Sequence, residues 1–528
     1  MSEETIASSC DEPALSTSPL ARNRNLTPWV ALFGIMAAAA ALALYGLTRS
    51  PVTSDDEVFF AEPARVLANT GSLAAPMFFD ISGIGQHFFV QPPVYFLVMA
   101  EAYRLFGFNE TVARLGSVVP YLAGVLVGFF LIRSISMRIG LRGRRAAIAG
   151  LLGAILLAFN EQSIETARVG RADWLAVLLV FLGWLILDQA KQARAHRLAY
   201  LTTGFAVMQL AGLTHPALAA PAVGITLATI IHPSWLGISR RIALGTGLVG
   251  AGLVILPYAI WIAPHFNEWR MQFLHVIVSA PSSLWGDFLS TQLNNFEGTF
   301  KFEPFIVVLI IFGLAAFPWS AAPDGIGAVV GIGLVAAGST DSYFKFLLLI
   351  AIIPTSCGIL LLAANERTAY RWSTITLALL AALNCLLFPL SRAYVIHQSY
   401  QQRDPMLTVK NIERFVPHGA HLLGISGVYF AALSDDAEYR EYLVLNGMRW
   451  GDSEYLQDQF RRAVEKYKPT WFALPPGMNP AREYCYLPVH FRRVSEINAV
   501  TSSDLNPAGL SNVAYTLWNT YPGRSTNC

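Results

Sequence analysis

The sequence predicts an α-helical polytopic membrane bundle of about eleven transmembrane helices with a small α/β domain at its C-terminal end, and three observations carry that reading. Of 528 residues, 54% are hydrophobic and only 14% are charged, which is more apolar surface than one soluble core of that length buries. The apolar residues come in long runs, and roughly twenty of them suffice to cross about 30 Å of hydrocarbon. The Lys and Arg residues sit in short clusters between those runs and form no basic domain. With a formal net charge of +2, the chain offers no footing for a nucleic-acid partner.

Residues 1–27 are mostly polar and rich in Ser and Thr, and read as a disordered cytoplasmic tail. They lack the basic start and short apolar core of a cleavable signal, so the run from Pro28 is a retained first span. Spans are expected near 28–48, 112–132, 146–160, 173–188, 198–214, 216–232, 242–263, 303–320, 323–340, 343–363 and 372–390. Threaded alternately from a cytoplasmic N-terminus, they put Arg133/Arg138/Arg142/Arg144/Arg145, Lys191/Arg194/Arg197, Arg240/Arg241 and Arg367/Arg371 on one side, as the positive-inside rule requires. That threading needs Gln91–Gly107 not to cross. The segment is short, carries Glu101 and Arg104 and opens on Pro92-Pro93, so it reads as an interfacial or re-entrant helix.

Three segments then face outward: loop 49–111, loop 160–173, and residues 391–528. The last reads as a soluble α/β domain, with strand-like runs at His421–Ser426, Trp471–Leu474, Arg493–Ile497 and Ala514–Trp518 and a helix over Leu456–Tyr467. No inverted repeat of the transporter kind is visible. The five cysteines have no CxxC spacing; Cys357 and Cys385 read as small core residues, whereas Cys485 and Cys528 are a candidate disulfide if their domain faces an oxidising compartment.

The chemistry concentrates on the outward side. Just after the first span, SDDEVFFAEPARVLANTG brings Asp55, Asp56, Glu57 and Glu62 close to the membrane surface, and ARVGRADW brings Arg168, Arg171 and Asp173 to the mouth of another span. Carboxylates beside guanidinium groups suit a reaction in which a hydroxyl loses its proton to a carboxylate while a phosphate leaves, stabilised by Arg. A lipid-linked phosphosugar fits that geometry. Paired carboxylates such as Asp56 and Asp173 also suit a divalent metal. The chain contains no HExxH or P-loop, and no GxGxxG in the strand–turn–helix setting of a dinucleotide fingerprint.

The order Asp56-Glu57 with Ala61-Glu62, then Pro92-Pro93 with Tyr95, then ARLGS (Ala113–Ser117), RADW (Arg171–Trp174), GLTHP (Gly212–Pro216), a turn with Tyr343 and then Pro354 resembles the C-type (GT-C) membrane glycosyltransferases. That family includes the dolichyl-phosphate-mannose protein mannosyltransferases and the bacterial lipid A aminoarabinose and galacturonic acid transferases. The resemblance covers residues 28–390. It implies an inverting transferase of a bacterial inner membrane that moves a sugar from a polyprenyl-phosphate donor to a lipid, glycan or protein acceptor at the outer face, with loop 49–111 over the site. By match to the family, Asp56 is the catalytic base, Glu57 its support or a substrate contact, and Asp173 the second acidic position.

Two departures stand out: Gln91 and His215 occupy positions where many members carry Lys. Donor-phosphate binding is therefore expected to rest on Arg168 and Arg171, with Gln91 and His215 beside them. Glu62, His87, Tyr95, Tyr343 and Lys345 are further possible substrate contacts. Two alternatives compete: a transporter or flippase for a lipid-linked saccharide, which needs ionisable residues near the bilayer midplane, and a catalytically idle member of the same fold.

Overall fold

Every apolar window falls on a helix in the computed structural model, which describes residues 19–51, 53–78, 83–278, 303–337, 344–364, 368–401, 403–434, 438–441, 454–475, 478–484, 487–497 and 515–522. The window helices are α1 (Pro19–Leu44), α4 (Glu110–Arg138), α5 (Arg144–Phe159), α7 (Asp173–Gln189), α8 (Arg197–Gly212), α9 (Ala219–Ile231), α10 (Arg240–Ile262), α12 (Pro304–Ala316), α13 (Pro323–Ala337), α14 (Phe344–Ala363) and α15 (Thr368–Gln398). Among the described residues, Leu26–Leu44, Glu110–Arg138, Arg240–Phe273, Lys345–Ala363 and Tyr370–Gln398 are long and apolar enough to cross a membrane. Helix α5 with the short α6 (Glu161–Ala167), bent by 58°, makes a sixth if counted as one span.

Helix α1 opens at Pro19, so residues 19–27 are helical and the tail reading does not extend to them. Proline is tolerated in a first helical turn, where its missing N–H would have no partner anyway. Between α1 and α4 lie α2 (Asp55–Thr70) and α3 (Val94–Phe106). Helix α3 has 13 residues and Pro93 at its N-cap, and it exposes Leu97, Val98, Leu105 and Phe106. That apolar, outward-turned face is the one an interfacial helix needs.

Close approach between helices fixes two contacts. A Cβ on Gly224 of α9 would lie 1.9 Å from the Gly327 carbonyl of α13, and one on Gly358 of α14 would lie 2.0 Å from the Gly313 carbonyl of α12. Only glycine allows backbones this near, the small-residue packing that replaces the hydrophobic effect between helices in lipid.

Beyond α15 and α16 (Pro405–Phe415), a mixed five-stranded sheet has the order β2-β1-β3-β5-β4. Strands β1 (His421–Gly424), β2 (Glu438–Glu441) and β3 (Trp471–Leu474) are parallel, and β5 (Tyr515–Pro522) runs antiparallel to both β3 and β4 (Val489–Ile497). The short α17 (Tyr429–Ser434) follows β1, and α18 (Glu454–Tyr467) precedes β3. Strand β2 reads Glu-Tyr-Arg-Glu, an edge strand without the apolar alternation that betrayed the others. The candidate Cys485–Cys528 pair and Tyr343 lie outside the described residues.

Two apolar cores organise the molecule. One runs through the bundle. The other joins Val58, Phe59 and Phe60 of α2 and Tyr95, Phe96 and Met99 of α3 to Leu422, Val428, Tyr429 and Phe472 of the sheet region. The sheet thus packs on the helix that carries the acidic motif.

Candidate active site at the α2 end of the bundle

Helix α2 starts with a capping box. The Ser54 hydroxyl accepts from Glu57 N at 3.4 Å and Glu57 Oε2 accepts from Ser54 N at 3.1 Å, which satisfies two backbone donors at the helix start. Successive residues on a helix point about 100° apart, so the carboxylates of Asp55, Asp56 and Glu57 meet three different surroundings.

Glu57 is fully buried. Its Oε1 accepts from Arg114 Nε at 2.8 Å and Gly170 N at 3.0 Å, and its Oε2 accepts from Arg114 Nη2 at 2.9 Å. Arg114, equally buried, also donates to the carbonyls of Leu47 and Pro51 at 2.5 and 2.9 Å. Glu57 therefore joins α2, α4 and the turn before α7, and supports its neighbour without facing a substrate. Asp55 accepts from Ser426 Oγ at 2.6 Å. Burial against the sheet region raises the Asp55 pKa, opposed by that hydrogen bond. Asp56 alone remains open, with its side chain 58% exposed and paired to Arg171 Nη1.

From Arg171 the polar chain continues inward. Its backbone is pinned by Ser117, whose hydroxyl accepts from Arg171 N at 2.9 Å and donates to Arg171 O at 2.8 Å. Arg171 Nε lies 3.4 Å from Asp173 Oδ2. Asp173, 1% exposed, accepts from Lys345 Nζ at 2.6 Å, and its Oδ1 lies 3.6 Å from His215 Nε2. His215 Nδ1 accepts from Ala217 N at 3.3 Å, which assigns the imidazole proton to Nε2, on the Asp173 side. Burial pushes the His215 pKa down to about 4, so the ring is neutral near pH 7. The Val94 amide donates to Leu213 O at 3.1 Å, which docks the Gln91–Pro93 entry to α3 beside this turn. Gln91 is half-buried, and its Oε1 is buried with no hydrogen-bond partner among the described residues.

Several expectations are corrected. Arg168 is not available to a donor phosphate: it is 1% exposed, and its five N–H groups go to the carbonyls of Leu42, Ala43, Gly46 and Ser50. These include orphan acceptors at the end of α1, so Arg168 closes that helix. Glu62 is no substrate contact either, since it is 1% exposed, held by Arg65 at 2.8 and 3.0 Å and by the Tyr429 hydroxyl at 2.8 Å. Asp173 is buried and clamped by Lys345 and Arg171. A divalent cation does not fit between Asp56 and Asp173, because the Arg171 guanidinium bridges them and Lys345 already neutralises the second. His87 turns to Glu268, Nδ1 to Oε2 at 2.9 Å.

Lys345 gains a larger part than a headgroup contact. It brings into the cluster an amine of the kind missing at positions 91 and 215. Arg114 and Ser117 lie inside the ARLGS motif, yet their roles needed the fold. Ser426 and Tyr429, 371 and 367 residues from their partners, left no local signal.

No protein-family model and no curated protein matches the chain. Solved structures do. ArnT from Cupriavidus metallidurans bound to undecaprenyl phosphate is 15% identical, with a TM-score of 0.58 over 93% of this chain and 98% of that one. Its apo state gives 14% identity and a TM-score of 0.59 over the same shares. The oligosaccharyltransferase of Archaeoglobus fulgidus in the apo form is 10% identical, with a TM-score of 0.52 over 86% of this chain and 70% of that one. The family resemblance carried by the motifs thus holds at the level of architecture: this chain has the fold of the C-type membrane glycosyltransferases.

Proposed function

We propose that the chain is an inverting glycosyltransferase that moves a sugar from a polyprenyl-phosphate donor to a lipid, glycan or protein acceptor at the outer face of a bacterial inner membrane. The observation that carries this reading is the Asp56–Arg171–Asp173–Lys345 chain, in which only Asp56 is a largely exposed carboxylate. In the transfer, the acceptor hydroxyl oxygen attacks the anomeric carbon from the face opposite the phosphate. Asp56 takes the hydroxyl proton, and the carbon–oxygen bond breaks with its electron pair leaving on the phosphate. Arg171 faces both partners, holding Asp56 before reaction and the phosphate charge as it grows, while Lys345 adds a second cation at short range. Asp173 orients those two cations, and Gln91 and His215 line the donor side as neutral groups.

The same proposal has all eleven window helices crossing the bilayer, with a cytoplasmic N-terminus and residues 391–528 outside. The basic clusters then sit at the end of the bundle away from α2. The sheet region, holding Asp55 through Ser426 and Glu62 through Tyr429, fixes the pose of α2.

The test is release of free polyprenyl phosphate from a panel of labelled polyprenyl-phosphate sugars by purified protein, with native membrane extract supplying acceptors. Turnover should fall at least about a hundredfold in Asp56→Asn, the usual weight of a general base. Equal turnover in that variant would remove Asp56 from its role, and no turnover by wild type with any donor would favour a flippase or an idle member of the fold.

A further inference from the structure

Outside the cluster around Asp56, the side chains of His87, His265 and Glu268 each bring one donor atom to a common point, with the three atoms within 4.8 Å of one another. His87 comes from the loop between α2 and α3. His265 ends the turn after α10, and Glu268 lies in the first turn of α11 (Phe266–Val278). The Glu268 carboxylate reaches both rings, with Oε2 2.9 Å from His87 Nδ1 and Oε1 3.8 Å from His265 Nδ1, and the ring centroids are 3.9 Å apart.

Three features make this more than a chance surface contact. First, the supporting backbone is held: Gln272, fully buried, donates to His87 O at 2.8 Å and accepts from Phe89 N at 2.6 Å, and His87 N donates to Gly83 O at 2.9 Å. Second, the three donor atoms converge from two segments far apart in the chain, the α2–α3 loop and the start of α11, 181 residues apart for His87 and Glu268. An ion held by all three joins elements that the sequence separates. Third, the three side chains are 34–37% exposed, which gives an ion a path from solvent.

We propose that His87, His265 and Glu268 form a binding site for a borderline transition-metal dication of the zinc type, which clips the α2–α3 loop to α11. Two imidazole nitrogens and one carboxylate oxygen are a donor set that suits Zn²⁺, with the remaining position of a tetrahedron left for water. The site uses none of the groups assigned to sugar transfer, so it stands or falls separately from that assignment. Its effect is mechanical: the ion adds a third attachment to the two Gln272 hydrogen bonds between the loop and α11.

Untagged full-length protein in detergent micelles is stripped with a chelator, dialysed and titrated with Zn²⁺ and separately with Co²⁺. One equivalent of Zn²⁺ per chain is expected, and bound Co²⁺ should show the intense visible absorption of a tetrahedral site. His87→Ala and Glu268→Gln should each weaken binding at least about tenfold, the lower bound found even for outer-shell losses. His265→Cys, which exchanges one zinc ligand for another, should retain binding, and His397→Ala, at an exposed histidine paired with Tyr45, should not change it. Hydrogen exchange in residues 83–90 should slow on adding Zn²⁺ to wild type and not to Glu268→Gln, which separates loss of the ion from loss of the fold. Absence of saturable binding, or binding indifferent to both His87→Ala and Glu268→Gln, would overturn the site.

Discussion

Helices α4 and α7 carry an ion cluster at each end, and the two clusters use the same residue types to opposite effect. At the α2 end, Arg171 links the exposed Asp56 to the buried Asp173. About 36 Å along α4, the distance from Arg114 to Arg138 at 1.5 Å per residue, Arg138 pairs with Asp188 at 2.8 Å and Asp324 at 2.6 Å. There Trp184 Nε1 also donates to Asp324 at 2.6 Å, Ser134 donates to Asp188, and the Trp235 ring covers the guanidinium 4.3 Å away. Each member of this second cluster is less than a tenth exposed. An arginine between two aspartates is thus a helix tie where all three are sealed, and a candidate reaction centre where one carboxylate reaches solvent.

The contrast breaks if the sealed cluster tolerates loss of its cation. Arg138→Met leaves two buried carboxylates without their partner, so it should cost about 3–5 kcal/mol of stability, read as a large drop in thermal midpoint in detergent. Arg171→Met should do the reverse: turnover falls roughly a hundredfold, as when one stabilising donor is removed from a developing anion, with a far smaller change in midpoint. If Arg171→Met melts the protein as severely as Arg138→Met does, the two clusters are both structural.

A smaller effect sharpens the comparison through pH. His215 is neutral in the folded state and protonates there only near pH 4, whereas in the unfolded chain it does so near 6.5. Between those values the unfolded state binds the extra proton, so stability declines as pH falls through that window and is unaffected by this group above it. Thermal midpoints of wild type and His215→Gln from pH 7.5 to 4.5 should show a shallower decline in the variant; identical slopes would mean that His215 does not titrate on unfolding as inferred.

The smallest effect concerns the sheet region. Tyr429→Phe and Ser426→Ala each remove one hydrogen bond to an α2 carboxylate, worth about 1 kcal/mol or somewhat more. Turnover should drop severalfold with KM unchanged, and Ser426→Thr should restore it. A change confined to KM would instead point to acceptor contact by that region.

The positions of the helices were legible because an apolar run is a local property, and a span of such residues has few alternatives to a helix in hydrocarbon. The strands β1, β3, β4 and β5 were legible for a similar reason, since their apolar residues pack on one core. Strand β2 was not, because an edge strand of Glu, Tyr and Arg carries no such pattern. In the site, the sequence yielded the inventory and missed the pairing. It ranked Arg168 with Arg171, although one closes α1 and the other meets Asp56, and it offered Glu62 as a substrate contact, although Arg65 and Tyr429 hold that carboxylate in the interior.

What the linear chain settled, then, is where helices form and that acidic and basic groups gather near the ends of a few of them. Hydropathy and residue type are enough for that. Which carboxylate stays reachable was decided by contacts across 57 residues for Glu57 and Arg114, 172 for Asp173 and Lys345, and 371 for Asp55 and Ser426. Burial and charge pairing depend on what the folded chain brings alongside, and over such separations nothing in the local sequence encodes the partner.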